Sequence, residues 1–231
     1  GNAKESLLDQ IKHSDLVVMF GQNIAETRMS GGGQVTELFN ALSQSKARII
    51  IIDPRRSESV VGYDAEWIPI IPGTDAALVA AIGYALLEED RIDDEMLNRY
   101  CVGWNADSLP DTAPPFSDFK SYILGLGDDR TPKTPEWAAQ KTGIPANQIR
   151  KLAIDIVNAK AAWISQGWGP QRWQNGEHTT RAIMILPIIT GQFGKRGTNI
   201  GTWGGSVTYS VPSLSLVNPI KTSIPFSLWT K

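Results

Sequence analysis

An apolar run, Asp15-Leu16-Val17-Val18-Met19-Phe20, stops at Gly21 and gives way to the amides Gln22 and Asn23, with the carboxylate of Glu26 three residues on. A glycine there lets backbone come close to a phosphate, and the Asn23 amide can donate to it. Open α/β sheets make ligand crevices this way, at the carboxyl end of a strand. The same residues serve equally as a tight strand-to-helix turn with no ligand. No G-x-G-x-x-G follows the strand, so the dinucleotide fingerprint is absent. Two acidic turns occupy similar positions: Asp53-Pro54-Arg55 and Pro72-Gly73-Thr74-Asp75. An acid ending a second strand can accept from ribose hydroxyls, although Asp before proline is also an ordinary turn residue. Arg55 and Arg56 are placed either for a phosphate or for solvent. Asp75 opens a helix, where negative charge is favoured in any case. A carboxylate can also accept from N1–H and the exocyclic amine of guanine together, a match that spacing alone does not select. In a further turn, Gln166-Gly167-Trp168-Gly169-Pro170-Gln171-Arg172, the pair Gln171 and Arg172 suits the carbonyl, ring nitrogen or pyrophosphate of a cofactor. Trp168 reads as a core residue. Together these turns point to one long nucleotide-bearing ligand. No Ser/His/Asp set, paired carboxylate site or P-loop accompanies them, so no catalytic residue is assigned. Glu177 and His178 read as helix-start residues, and Cys101 as a small half-buried hydrophobe.

The elements that must carry these turns follow from periodicity. Leu7 to His13 reads as a helix end and Asp15 to Phe20 as a buried strand. A helix follows Gly31-Gly32-Gly33, from Gln34 to about Ser45, with Val35, Leu38, Phe39 and Leu42 at helical spacing. Arg48 to Ile52 is β-branched nearly throughout and reads as a strand covered on both faces. A long loop leads to a short strand, Trp67 to Ile71. Thr74 then caps a helix to about Glu89, and Asp93 starts another through Tyr100. Residues 102–134 form a loop-rich insertion with one strand at Tyr122-Ile123-Leu124. Helices open at Thr134-Pro135 and Ile144-Pro145, the second carrying Ile149, Leu152, Ile156 and Val157. Ala161 to Ser165 is a strand, and a helix spans Thr179 to Thr190. Residues 192–231 are an irregular tail. Strands alternating with helices predict an α/β fold, a Rossmann-like, mainly parallel sheet flanked by helices, whose glycine-marked loops gather at one sheet edge.

Composition narrows the function. The 231 residues are 42% hydrophobic and 20% charged, the balance of a soluble globular protein. A net charge of −2 argues against a nucleic-acid partner held by a basic surface. Pro187 interrupts the most apolar stretch, Ala182 to Ile189, which is too short to cross a membrane. Cys101 is the only cysteine, which excludes an internal disulfide and any cysteine-bound cluster or zinc finger held by this chain alone. The two histidines, His13 and His178, are too few for a histidine metal site, so no metal ligand is assigned. The opening Gly1-Asn2-Ala3 reads as an expression remnant, and the chain as an internal piece of a longer protein.

In order along the chain stand Val17 to Gly32 (VVMFGQNIAETRMSGG), Ile52-Asp53-Pro54-Arg55, Ile70-Ile71-Pro72-Gly73-Thr74-Asp75-Ala76-Ala77-Leu78, Gln166 to Arg172 (QGWGPQR), and Leu186-Pro187-Ile188-Ile189-Thr190-Gly191. This series resembles the molybdopterin oxidoreductases of the dimethyl sulfoxide reductase family, in particular their membrane-associated, iron–sulfur branch and selenate-reductase-like relatives. One departure is Ile24, where many relatives have proline. The resemblance implies a bis(molybdopterin guanine dinucleotide) cofactor with molybdenum. By motif match, Gly21, Gln22, Asn23 and Glu26 line one guanine dinucleotide. Asp53, Pro54 and Arg55 match the ribose and guanosine loop, Gly73, Thr74 and Asp75 the guanine end. Gly167, Gln171 and Arg172 match the loop reaching toward the pterin. It also implies a larger subunit that carries a [4Fe–4S] cluster outside this chain, and reduction of dimethyl sulfoxide or related S- and N-oxides in anaerobic respiration. An iron–sulfur electron-transfer subunit and a membrane anchor are the implied partners. The implied location is the periplasmic face of the cytoplasmic membrane, with a twin-arginine export signal outside this chain. Three alternatives stand beside this reading: an oxyanion reductase of the selenate type, a stand-alone guanine-nucleotide-binding α/β module without redox chemistry, and a structural domain whose loops merely turn.

Overall fold

The computed structural model describes residues 6–27, 33–202 and 222. The opening tripeptide, residues 28–32 with Gly31 and Gly32, and nearly all of the tail beyond 202 lie outside the described residues.

Four parallel strands form one sheet in the order β3-β2-β1-β4: β1 (Leu16–Phe20), β2 (Arg48–Ile52), β3 (Glu66–Ile68) and β4 (Ala162–Gln166). Leu16 to Phe20 face Arg48 to Ile52 on one side and Ala162 to Gln166 on the other. The period-2 geometry of a strand divides these residues between two cores. Leu16, Val18, Phe20, Ile50, Ile52, Ala162 and Ile164 point to one face. There they meet α4 (Asp75–Glu88), α7 (Pro135–Thr142), α8 (Ala146–Asn158) and α9 (Gly176–Ile189). Val17, Met19, Ile51 and Trp163 point to the other, against Leu8 and Ile11 of a short 3-10 helix and Leu38 of α2 (Gln34–Ser43). Burial on both faces explains the apolar runs Leu16 to Phe20, Ile49 to Ile52 and Ala162 to Ile164. The α/β architecture expected from the sequence is the one observed.

Several local expectations need correction. Tyr122-Ile123-Leu124 is not a strand but the end of α6 (Phe119–Leu124). Asp118 caps that helix by accepting from the Ser121 N–H at 2.8 Å, and Gly125 closes it with a positive φ of 70°. The loop between β2 and β3 contains α1's partner, the short helix α3 (Glu58–Gly62), with α1 being Ile24–Thr27. β3 ends at Ile68 because Pro69 has no N–H to continue the ladder. Thr74 precedes α4 but does not cap it through its side chain; its hydroxyl donates to the Ile71 carbonyl at 2.6 Å. Trp168 is half exposed rather than core.

The insertion is organised by α5 (Asp94–Tyr100), α6 and a buried lysine. Lys133 Nζ meets Asp129 at 2.6 Å and stands 4.6 Å above the Tyr122 ring. The stretch from Gln192 to Thr202 has neither helix nor strand, yet it runs along the outer edge of β4. Gln192 accepts from the Ala162 N–H at 3.0 Å, Gly201 N–H donates to Ile164 at 3.2 Å, and Thr202 accepts from the Gln166 N–H at 3.1 Å. Among the described residues no helix is long and apolar enough to cross a membrane.

Candidate functional site

In a sheet ordered β3-β2-β1-β4 the chain moves from β1 to β2 and β3 on one side and then crosses back to β4 on the other side of β1, so a crevice opens at the carboxyl ends of β1 and β4. The backbone itself shapes it. Gly21 N–H donates to Ile52 at 2.8 Å and Gly167 N–H donates to Phe20 at 2.8 Å, pinning both turns to the strand ends. Gly21 has φ +50°, and a Cβ there would lie 2.6 Å from Pro170 Cδ, so only glycine fits.

Three adjoining cavities lie along this crevice. One, of about 340 Å³, is bounded by Gly21, Asp53, Pro54, Gly73, Asp75 and Arg172, with Trp173 on its wall. A second is bounded by Gly21, Gln22, Asn23 and Gly167. The third is bounded by Gln166, Gly167, Trp168, Gln171, Arg172, Thr180 and Thr202. Ten of the thirteen residues singled out from the sequence therefore converge: Gly21, Gln22, Asn23, Asp53, Pro54, Gly73, Asp75, Gly167, Gln171 and Arg172. Glu26, Arg55 and Thr74 line none of these cavities.

The carboxylates differ in surroundings. Asp75 is only 4% exposed, and burial pushes its pKa up to about 6, with its own helix-start N–H opposing and Asp53 adding to the rise. Asp53 is raised as well, again chiefly by burial, while one of its oxygens accepts from the Arg55 N–H at 2.9 Å. Each prefers to meet a hydrogen-bond donor over remaining a bare buried charge. Arg172 supplies positive charge between the first and third cavities, with its guanidinium 5.5 Å from the Trp168 ring centroid.

Asn23 is engaged by protein. Its Nδ2 donates to Glu26 and Glu58, each at 2.7 Å, and its Oδ1 accepts from Ser59 N–H at 3.1 Å and Ser59 Oγ at 2.7 Å. Both donors and both lone pairs are used, so its side chain has no donor left for a phosphate. Arg55 completes the clasp at 2.7 Å from Glu26 and 3.2 Å from Glu58. Glu58 is held down to about 2, first by its own N–H at the start of α3 and next by the Asn23 amide. Gln22 is buried and accepts from the Ser165 hydroxyl. These residues shape the loop, leaving its backbone to face the crevice.

Sequence reasoning missed Glu58, Gln166, Thr180, Thr202 and Trp173. Gln166 ends β4 and carried the only signal, an amide closing an apolar strand. Its Nε2 donates to Thr180 O at 3.1 Å and Gly201 O at 2.6 Å, which leaves Oε1 without a hydrogen-bond partner. The hydroxyls of Thr180 and Thr202 are buried and unpartnered beside it. Buried polar atoms in native proteins are nearly always paired, so three together mark a place for a polar ligand.

The sequence pattern of the molybdopterin oxidoreductases matches residues 2–221. The chain belongs to the molybdopterin oxidoreductase family. It is 52% identical to dimethyl sulfoxide reductase DmsA of Haemophilus influenzae, over 95% of this chain and 27% of that protein. The same figures describe its match to DmsA of Escherichia coli K12. It is 35% identical to trimethylamine-N-oxide reductase of H. influenzae, over 89% of this chain and 23% of the relative. Among solved structures it matches acetylene hydratase from Pelobacter acetylenicus with a TM-score of 0.58 and 26% identity, over 81% of this chain and 24% of the other. The chain spans about a quarter of the length of these relatives.

Family membership implies a molybdenum–molybdopterin cofactor. The crevice fits one: an unpartnered amide oxygen and two unpartnered hydroxyls beside the end of β4, a backbone cradle at Gly21, and two acids farther along. Membership also disfavours the stand-alone nucleotide module and the purely structural domain.

Proposed function

We propose that this chain is the nucleotide-binding α/β domain of the catalytic subunit of a molybdenum-dependent reductase, and that it holds one guanosine arm of a bis(molybdopterin guanine dinucleotide). The observation that carries this reading is the meeting of Asp53 and Asp75 with Gly21, Gly73 and Arg172 in one cavity. Asp75 accepts from the guanine edge, Asp53 from the ribose, and the Gly21 turn admits the pyrophosphate to close backbone approach. Gln166, Gln171 and Arg172 orient the end nearer the pterin. When bound, the cofactor supplies the two-electron, oxygen-atom chemistry, and the chain supplies position and electrostatics.

Relatives at 52% and 35% identity named for dimethyl sulfoxide and trimethylamine N-oxide support S- and N-oxides as the substrate class of the whole enzyme. The resemblance in the sequence motifs extends the same proposal to anaerobic respiration, an iron–sulfur electron-transfer subunit, a membrane anchor and a [4Fe–4S] cluster elsewhere in the subunit. Residence on the periplasmic face of the cytoplasmic membrane follows from the same reading.

The test is to replace Asp53 and Asp75 by Asn in the full-length polypeptide and measure molybdenum, and guanine nucleotide released by acid, per chain. Both should fall to a small fraction of the unmodified protein's contents, as two lost edge acceptors weaken the dissociation constant well beyond the roughly tenfold that about 1.4 kcal/mol represents. Contents equal to the unmodified protein would overturn the assignment.

A further inference from the structure

Trp173 is not explained by the cradle, the clasp or the core. It follows Arg172 and is 53% exposed, whereas Trp163, ten residues earlier, is completely buried. Its indole forms part of the wall of the cavity that holds Asp53 and Asp75. It lies against Gly73, where φ is +77° and a Cβ would stand 3.4 Å from indole Cγ and 3.5 Å from Cδ2. Gly73 therefore adjoins the indole, and about half of the Trp173 residue is exposed.

A flat heterocycle is recognised through its edge and its face. The carboxylates of this cavity supply edge acceptors. We propose that Trp173 supplies the face, as the stacking platform for the guanine base; this rests on the guanosine reading above and adds the residue that fixes the plane of the ring. Stacking on an aromatic side chain tolerates any base, so Trp173 contributes affinity while the carboxylates contribute preference for guanine. Gly73 adjoins it: the φ of +77° favours a residue without Cβ there, and the turn it makes lies within van der Waals reach of the indole.

The experiment is equilibrium binding of GDP and ADP to the full-length polypeptide freed of its cofactor. Trp173→Phe, which keeps a ring, should hold GDP affinity within about threefold. Trp173→Ala and Trp173→Leu should each lose about 10- to 100-fold, and should weaken GDP and ADP by similar factors. The Leu variant keeps apolar bulk, so a loss shared by Ala and Leu but not Phe reports stacking and not packing. Asp53→Asn with Asp75→Asn should instead erase the preference for GDP over ADP. If Trp173→Leu binds GDP as tightly as the unmodified protein while the Asp variant does not, the platform is refuted and the guanosine reading stands. If the unmodified protein binds no GDP, the guanosine reading falls and the platform with it.

Discussion

Gly167 and Gly21 are packed backbone against backbone: a Cβ on Gly167 would lie 2.1 Å from the Gly21 carbonyl oxygen and 2.9 Å from Gln22 Cα. The turns that end β1 and β4 thus touch with no side chain between them, and that contact closes the floor of the crevice.

Gly167→Ala must push these turns apart. Overpacking against backbone, with no flexible side chain to yield, should cost about 3 kcal/mol. In a chain of this size that lowers Tm by roughly 6–12 °C. Gly169→Ala, whose Cβ would meet the same oxygen at 3.4 Å, is the matched control and should cost less than about 1 kcal/mol. Equal melting of the two variants would contradict the close contact.

Asp75 should leave a signature in the pH dependence of stability. Its carboxyl is raised from 3.8 to about 6 in the folded chain, so the folded state holds a proton that the unfolded state has released. The contribution of Asp75 to stability without ligand is therefore greatest below about pH 4, declines as pH rises through that window, and levels off above 6. The decline amounts to about 3 kcal/mol from this group. Asp75→Asn should remove it and raise stability at pH 7.5 by up to that amount. Urea unfolding of both proteins at pH 4.5 and 7.5 isolates the effect, since every other carboxylate is shared. Parallel pH profiles for the two would contradict it.

Asn23→Ala should cost about 2–3 kcal/mol. It strips Ser59 of its acceptor and leaves Glu26 and Glu58 facing each other without the amide that joins them. Asn23→Asp should be worse, because it sets a third carboxylate among two and offers them no donor. Denaturant titration checks both, and a change below about 0.5 kcal/mol for the alanine variant would show that the clasp carries no stability.

What could be read from the chain follows from which physics is local. β1 throughout, Ile49 to Ile52 of β2 and Ala162 to Ile164 of β4 are apolar runs because both sheet faces are covered, and a run of four isoleucines announces itself. Asp93 and Thr134 were legible as helix starts because each cap is set by its own side chain, accepting from Met96 and Trp137. α6 was misread because Tyr122, Ile123 and Leu124 look like a strand in isolation, while the Asp118 cap and the Gly125 stop that decide the matter lie outside that triplet. α3 was missed because five residues make too short a period, and its stability comes from the distant Asn23 clasp. At the site, motif order located the turns, but whether a side chain faces the crevice or the protein is a tertiary fact. Asn23 turned inward and Trp173 outward, and nothing in their neighbours' identities distinguishes them.

The sheet has almost no border left to extend. On one side, the path from Gln192 to Thr202 occupies hydrogen-bonding groups that β4 would otherwise offer to another strand. On the other, β3 spans three residues before proline halts it. Among the described residues strand addition is therefore disfavoured at both borders of the sheet, and helices and connecting turns make up the surface that remains. Contacts made on those helices and turns leave unchanged the strand alignment that shapes the crevice.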